Sequence, residues 1–431
     1  MSLPDRNGYP ASLWRDTADE PASRPTLSDK KRHYDVAIVG GGYTGLSAAL
    51  HLAQEGVGCV VLEGQRVGWG ASGRNGGQVI AGLKQNPSEL VAHFGTKMGE
   101  RMTQTVGGSA DVVFDLVDRY GLRCDAVRKG WIQAAHCERA LERQKERANE
   151  WNALGADTHL LDASKVAVMT GARGYVGGWW DPRGGKVQPL AYALELARAA
   201  GEMGADIFEH SPVVSLEKHG DRWHLTTQQG SLTATQVILG TNGYTSPLWP
   251  SLEQSVVPAW SIQLSTVPLP SDVRSTLLPS GQSLSETRRI LRYSHVDAHG
   301  RLVIGTQGPM RDKVTWRDAR ALAHDMERLF PQLEGVKFDH VWTGRVAMTL
   351  DHMPHLYHLA DGLHAGLGYN GRGVAMATLM GRLLAMRAKN ASEEDVGYPI
   401  QPLKAIPMHR FSGLGAEAYS YWYDLMDKLK L

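Results

Sequence analysis

The stretch Asp35-Val36-Ala37-Ile38-Val39-Gly40-Gly41-Gly42-Tyr43-Thr44-Gly45-Leu46 runs an apolar segment straight into a glycine turn in which Gly40, Gly42 and Gly45 are spaced Gly-x-Gly-x-x-Gly. On its own that pattern is weak, so the flanks carry the argument. A strand is expected over 35–39, an apolar helix over 46–54 and a second strand over 58–63, which together make one βαβ unit of a parallel sheet. Gly40 makes the tight turn after the strand, Gly42 lets backbone N–H groups approach a pyrophosphate, and Gly45 lets the helix pack on the strand. Tyr43 and Thr44 supply the first amides of the helix, whose positive end favours an anion. Glu63 follows Gly45 by 18 positions, at the end of the second strand, where a carboxylate accepts hydrogen bonds from a ribose diol. Strand, turn, helix, strand and acid agree on an α/β, Rossmann-like domain that binds a dinucleotide.

Directly after Glu63 comes Gly68-Trp69-Gly70-Ala71-Ser72-Gly73-Arg74-Asn75-Gly76-Gly77-Gln78, with five glycines in eleven residues. A backbone this open wraps a long ligand, with Ser72 and Arg74 toward phosphate and the later amides toward a flavin ring. Far downstream, Gly366-Leu367-Gly368-Tyr369-Asn370-Gly371-Arg372-Gly373 opens a helix expected over 374–386. A second glycine turn aimed at a helix start suits a dinucleotide that bridges the whole lobe, which favours FAD over NAD.

The rest of the chain sets bounds. Its 431 residues suit two layered lobes around a large core. The 46 Lys+Arg against 45 Asp+Glu leave a formal charge of +1, without the basic excess of a nucleic-acid binder. Three cysteines, Cys59, Cys124 and Cys137, form neither a disulfide framework nor a zinc motif, which suits a reducing compartment. No stretch reaches the roughly twenty apolar residues of a membrane span, and the expected location is cytoplasmic. His352, His355 and His358 repeat at HxxHxxH spacing, but Pro354 forbids the helix that would align them, so no metal is expected. Residues 1–33 read as an irregular arm ending in Lys30, Lys31 and Arg32, with Tyr9, Leu13 and Trp14 as an amphipathic patch. The helix 138–154 is expected to be charged and exposed.

These motifs resemble the D-amino-acid-oxidase-like family of FAD-dependent oxidoreductases, over nearly all of 35–384. The resemblance rests on Val39 to Leu46, on Gly70 to Gln78, on Asn242-Gly243-Tyr244, on Trp342-Thr343-Gly344, and on Gly368-Tyr369 with Gly371, Gly373 and Val374. It implies a Rossmann-like FAD-binding domain of the GR2/DAO type and an antiparallel-sheet substrate domain. The expected division is an arm at 1–33, an FAD-binding part at 34–110, 160–250 and 335–390, a substrate part at 111–159 and 251–334, and a C-terminal extension at 391–431. It further implies FAD contacts from Val213, Thr241, Gly344, Gly371, Gly373 and Val374. Flavin attachment is expected to be non-covalent, because no histidine lies between Glu63 and Gln78 and no cysteine follows Cys137.

The implied activity is oxidation of a C–N bond in a small amine, γ-glutamylputrescine or a related polyamine-type amine, with O2 as electron acceptor. Members acting on γ-glutamylputrescine read His-Ile-His-Pro where this chain has Lys186-Val187-Gln188-Pro189, and Ser-Gly-His-Gly where it has Asn370-Gly371-Arg372-Gly373. Both segments are expected to face the substrate. Trp180, Trp260 and Tyr369 are candidates for an aromatic slot, with core packing as the plainer role. Arg345 and Arg372 are candidates for groups at the reacting centre. Two other readings stay open. One is an oxidase or dehydrogenase of an α-amino acid or a secondary-amine acid of sarcosine or pipecolate type, with Arg74, Arg345 or Arg372 clamping the carboxylate. The other is an FAD-binding protein whose flavin is not redox-active.

Overall fold

In the strand Arg32–Val39 the run Val36–Val39 is buried on both faces, as a central parallel strand covered on both sides must be. A computed structural model describes residues 8–20, 22–28 and 32–409. Within it this strand pairs in parallel with Cys59–Leu62 on one side and Ser231–Leu239 on the other. The sheet continues through Leu363–Leu367, His355–Ala360 and Ile400–Gln401 at one end and Asp206–Phe208 at the other. A ribbon of Ser215–His219 and Arg222–Thr226 adds antiparallel to Ser231–Leu239.

The helices Tyr43–Gln54, Gly373–Ala388, Pro189–Glu202 and Ser109–Tyr120 pack together in the largest apolar cluster of the molecule. Two glycines permit the closest approaches in this layer. A Cβ at Gly45 would fall 2.0 Å from the Gly40 carbonyl oxygen, and one at Gly381 would fall 2.4 Å from that of Thr44, so neither position accepts a side chain.

A second sheet of eight strands runs Phe338–Met348, Val257–Thr266, Leu302–Gln307, Tyr293–Val296, Ser283–Glu286, Trp131–Ala135, Gly177–Asp181 and His159–Asp162. It is antiparallel except where Ser283–Glu286 meets Trp131–Ala135. The amphipathic helix Trp316–Leu329, capped by a Thr315/Asp318 box, buries Ala319, Leu322 and Met326 toward it. The α/β class and the parallel-plus-antiparallel architecture are those expected from the sequence.

Sheet membership moves the expected boundaries. Gly177–Asp181 and Phe338–Met348, assigned above to the FAD-binding part, are strands of the second sheet. Ser109–Tyr120, of which 111–120 was given to the substrate part, packs on Gly373–Ala388 in the first layer. Strand pairing between residues far apart in sequence decides these cases, and local pattern does not record it. The arm is not a loose tail: Tyr9, Leu13 and Trp14 are buried, and Ser12 caps the short helix Leu13–Thr17. Lys30 and Lys31, and residues 410–431 of the expected C-terminal extension, lie outside the described residues. Among the described residues no helix is long and apolar enough to cross a membrane.

Candidate active site

Gly42 is the N-cap of the helix Tyr43–Gln54, and no side chain caps it, so the first N–H groups are left for a neighbour or a ligand. Gly40, Gly41, Gly42, Tyr43 and Thr44 line one end of a cavity of about 1580 Å3. The Tyr43 N–H donates to Ser72 Oγ at 3.0 Å. A Cβ on Gly42 would stand 2.9 Å from the same oxygen, so the two glycine loops meet with no room for a side chain between them. Glu63 lines the cavity with its carboxylate fixed, Oε2 accepting the Gly41 N–H at 2.6 Å and Oε1 the Gln65 N–H at 2.8 Å. Burial pushes its carboxyl above the usual range, and the two N–H donors oppose that shift. Bare helix amides, a side-chain-free turn and an oriented carboxylate fit the pyrophosphate and ribose of a dinucleotide.

Gly70, Ala71, Ser72, Arg74, Asn75, Gly76 and Gln78 form the next wall. Arg74 lies between the rings of Trp69 at 4.7 Å and Tyr244 at 5.3 Å, and donates to the Gly70 carbonyl and to the Tyr244 hydroxyl, the latter at 2.6 Å. The backbone of this loop is held from three directions. Gln263 Nε2 and Trp342 Nε1 of the second sheet donate to the Arg74 carbonyl at 2.6 and 3.1 Å, and Trp14 Nε1 of the arm donates to the Asn75 carbonyl at 2.8 Å. Val213, Thr241, Gly344, Gly371, Gly373 and Val374 also line the cavity. Tyr369 does too, and its hydroxyl lies 2.6 Å from Thr44 Oγ1, which ties the two glycine turns together.

Several expected residues lie elsewhere. Gly45 is spent on helix–strand packing. Gly73 and Gly77 do not line the cavity, and a Cβ on them would meet the Gly68 carbonyl oxygen at 2.3 Å and the Val187 carbonyl oxygen at 2.4 Å. Trp180 faces away from the cavity, stacked on His159 at 5.3 Å. Trp131 on the neighbouring strand does line the cavity, together with Trp69 and Trp260. Lys186 and Gln188 are also turned away, Lys186 Nζ donating to the Val296 carbonyl at 2.5 Å and Gln188 Nε2 to the Trp14 carbonyl at 2.7 Å.

Trp260 and Arg345 line the cavity as a pair bound to one carboxylate. Trp260 Nε1 donates to Asp312 Oδ1 at 2.8 Å, Arg345 Nε donates to the same oxygen at 2.8 Å, and the Arg345 guanidinium lies between the rings of Tyr244 and Trp260. The bond from Arg345 holds the Asp312 carboxyl down at about 2. Arg372 is buried, 8% exposed, over the Trp131 ring at 5.3 Å, with Nη1 donating to the Ala81 carbonyl at 2.9 Å. The HxxHxxH histidines go separate ways: His355 pairs with Asp351 at 2.9 Å while His358 lies beside His364. Among the described residues no group of three His, Cys, Asp or Glu is placed to hold a metal.

The sequence reading did not single out Lys84 and Arg147, which line the cavity near Arg372. Arg147 carried a signal, because the buried face of Glu138–Ala153 is Gln144, Arg147, Ala148 and Trp151. That is i, i+3, i+4, i+7 spacing occupied partly by polar residues. The helix is therefore half-buried, not the exposed one expected.

Residues 35–387 match the family model described as DAO, FAD dependent oxidoreductase. The chain belongs to the DAO family of FAD-dependent oxidoreductases. It is 33% identical over 381 residues to a protein of Haemophilus influenzae named probable oxidoreductase OrdL, covering 87% of each chain. It is 30% identical over 419 residues to γ-glutamylputrescine oxidoreductase of Escherichia coli, covering 96% of this chain and 98% of that one. Glycine oxidase from Geobacillus kaustophilus shares the fold with a TM-score of 0.73 at 23% identity, over 88% of this chain and 99% of that one. As a DAO-family member the protein is an FAD-dependent amine or amino-acid oxidoreductase.

Proposed function

We propose that the protein oxidises the C–N bond of a small amine of the polyamine type, such as γ-glutamylputrescine, to an imine that water converts to an aldehyde, with O2 reduced to H2O2. The observation that carries this reading is one continuous cavity, which runs from the glycine turn at Gly40–Thr44, where Tyr369 also lies, to a wall of Trp131 and Trp260 on the second sheet. FAD bound there supplies the acceptor for the hydride that leaves the carbon next to nitrogen.

The chain's own residues supply position and electrostatics. Trp14, Trp342 and Gln263 fix the loop that faces the cofactor. The indole of Trp131 and the apolar side of the second sheet exclude water, which strengthens every charge interaction inside. Lys84, Arg147 and Arg372 make no ion pair among the described residues. A positive wall of this kind disfavours an ammonium and favours the neutral amine, whose lone pair forms the new C=N bond as the hydride departs. No side-chain base is then required.

The three cations also favour the amino-acid reading, because a carboxylate would be held by them. Aerobic turnover separates the outcomes. Aldehyde and H2O2 formed in equal amounts from an amine support the proposal. Turnover of α-amino acids alone supports the second reading.

A further inference from the structure

We propose that Lys84, Arg147 and Arg372 form an anion-binding subsite in the cavity wall, and that it takes a carboxylate carried by the substrate at a distance from the reacting C–N bond. This deepens the reading above and rests on it for the word substrate. The three cations come from three separate segments: the loop after Gln78–Val79, the helix Glu138–Ala153, and the residue that begins the helix Gly373–Ala388. Arg147 donates from Nη1 to the Lys84 carbonyl at 2.7 Å and from Nη2 to the Leu83 carbonyl, while Arg372 donates from Nη1 to the Ala81 carbonyl. Both guanidiniums thus grip the backbone of 81–84, and each lies over an indole, Trp179 for Arg147 and Trp131 for Arg372. The two guanidiniums are fixed before any ligand arrives, while the exposed Lys84 side chain is left to swing onto it.

The cluster's charge is answered only from a distance: Asp181 acts on Arg147 and Arg372, and Glu89 and Glu150 act on Arg147. Among the described residues no carboxylate lies within ion-pair distance of the three, and the Lys84 ammonium, which presents itself to the cavity, has no hydrogen bond. Lys84 is an exposed residue, while the protein surrounding its ammonium and the neighbouring Arg372 lower it to about 8. Like charges held together with no carboxylate in direct contact are destabilising, and an incoming anion lowers that penalty. A carboxylate matches the planar N–H forks of arginine and adds a single charge. The pyrophosphate of the cofactor has its own place at the glycine turn, with Glu63 and Ser72.

The test uses FAD-loaded protein and glutarate, with the neutral diamide glutaramide as control, read by perturbation of flavin absorbance and by competition with amine turnover. The expected result is that glutarate binds and raises KM for the amine without lowering kcat. Glutaramide should bind about tenfold more weakly or worse, Lys84→Met should weaken glutarate about tenfold, and Lys84→Arg should restore most of the affinity. Equal binding of glutarate and glutaramide, or an unchanged glutarate affinity in Lys84→Met, overturns the subsite. A flavin potential shifted by Lys84→Met with glutarate affinity unchanged assigns the cations to the cofactor and overturns it likewise. Glutarate binding without turnover of any amine leaves the subsite standing and removes the proposed reaction, so the two failures are distinct.

Discussion

At the scale of single residues, backbone geometry separates what the sequence made readable from what it did not. The places of Gly42 and Glu63 in the cavity wall were readable because a turn and a strand end within one short segment set them. Gly42→Val places a branched side chain against Ser72 Oγ, which a Cβ alone would already approach to 2.9 Å. The variant is expected to fold, with an unchanged far-ultraviolet circular dichroism spectrum, and to purify without FAD. Glu63→Gln leaves only one oxygen for two N–H donors, those of Gly41 and Gln65. Fluorescence titration of the FAD-free variant should show an FAD Kd raised about tenfold, as expected for the loss of one charge-assisted hydrogen bond. An unchanged Kd would mean that Glu63 holds the turn alone. Lys84, by contrast, was unreadable: an isolated lysine after an apolar stretch gains meaning only when Arg147 and Arg372 arrive from other segments.

Among the elements, the arm and the helix Glu138–Ala153 show how tertiary contacts redirect a local pattern. Tyr9, Leu13 and Trp14 looked like a patch able to dock, and the structure seats Trp14 parallel to His295 at 5.8 Å with its N–H on the Asn75 carbonyl. Tyr9 reaches the other end of the same loop, its hydroxyl donating to the Val67 carbonyl at 2.8 Å. Trp14→Ala removes a buried indole and is expected to cost about 3 to 5 kcal/mol. Trp14→Phe keeps most of the packing and loses the bond to Asn75. The measurement is the FAD dissociation rate: a rise in both variants ties the arm to the cofactor loop, and a rise in the alanine variant alone assigns Trp14 to packing. The strand is confined to Tyr293–Val296, and before it Arg288 and Arg292 turn back to bind the buried Glu286. Residues 287–291 line the cavity instead, an outcome fixed by ion pairing that alternation of apolar residues does not encode.

For the whole molecule, the α/β class was legible because glycine turns and apolar strands are local, and the division between the two sheets was not, because strands such as Gly177–Asp181 find partners distant in sequence. The packed core also sets a pH limit. Burial lowers the His51 imidazole to about 4 and the His364 imidazole to about 3. Both are neutral in the folded protein, whereas in the unfolded chain they take a proton below about 6.5. Their contribution to stability is therefore full above pH 6.5 and is lost as pH falls toward the folded values. At pH 5 this amounts to about 2 kcal/mol for each. Thermal unfolding followed by circular dichroism should show a Tm several degrees lower at pH 5 than at pH 7.5, and a flat profile would contradict the buried neutral state. The central claim, that bound FAD takes electrons from the C–N bond of an amine, is met most directly by mixing the yellow protein with γ-glutamylputrescine, putrescine, glycine and sarcosine in the absence of oxygen. The account predicts that an amine bleaches the visible flavin band and that admitting oxygen restores it with release of H2O2. A flavin band that dithionite bleaches and none of these compounds changes would contradict it.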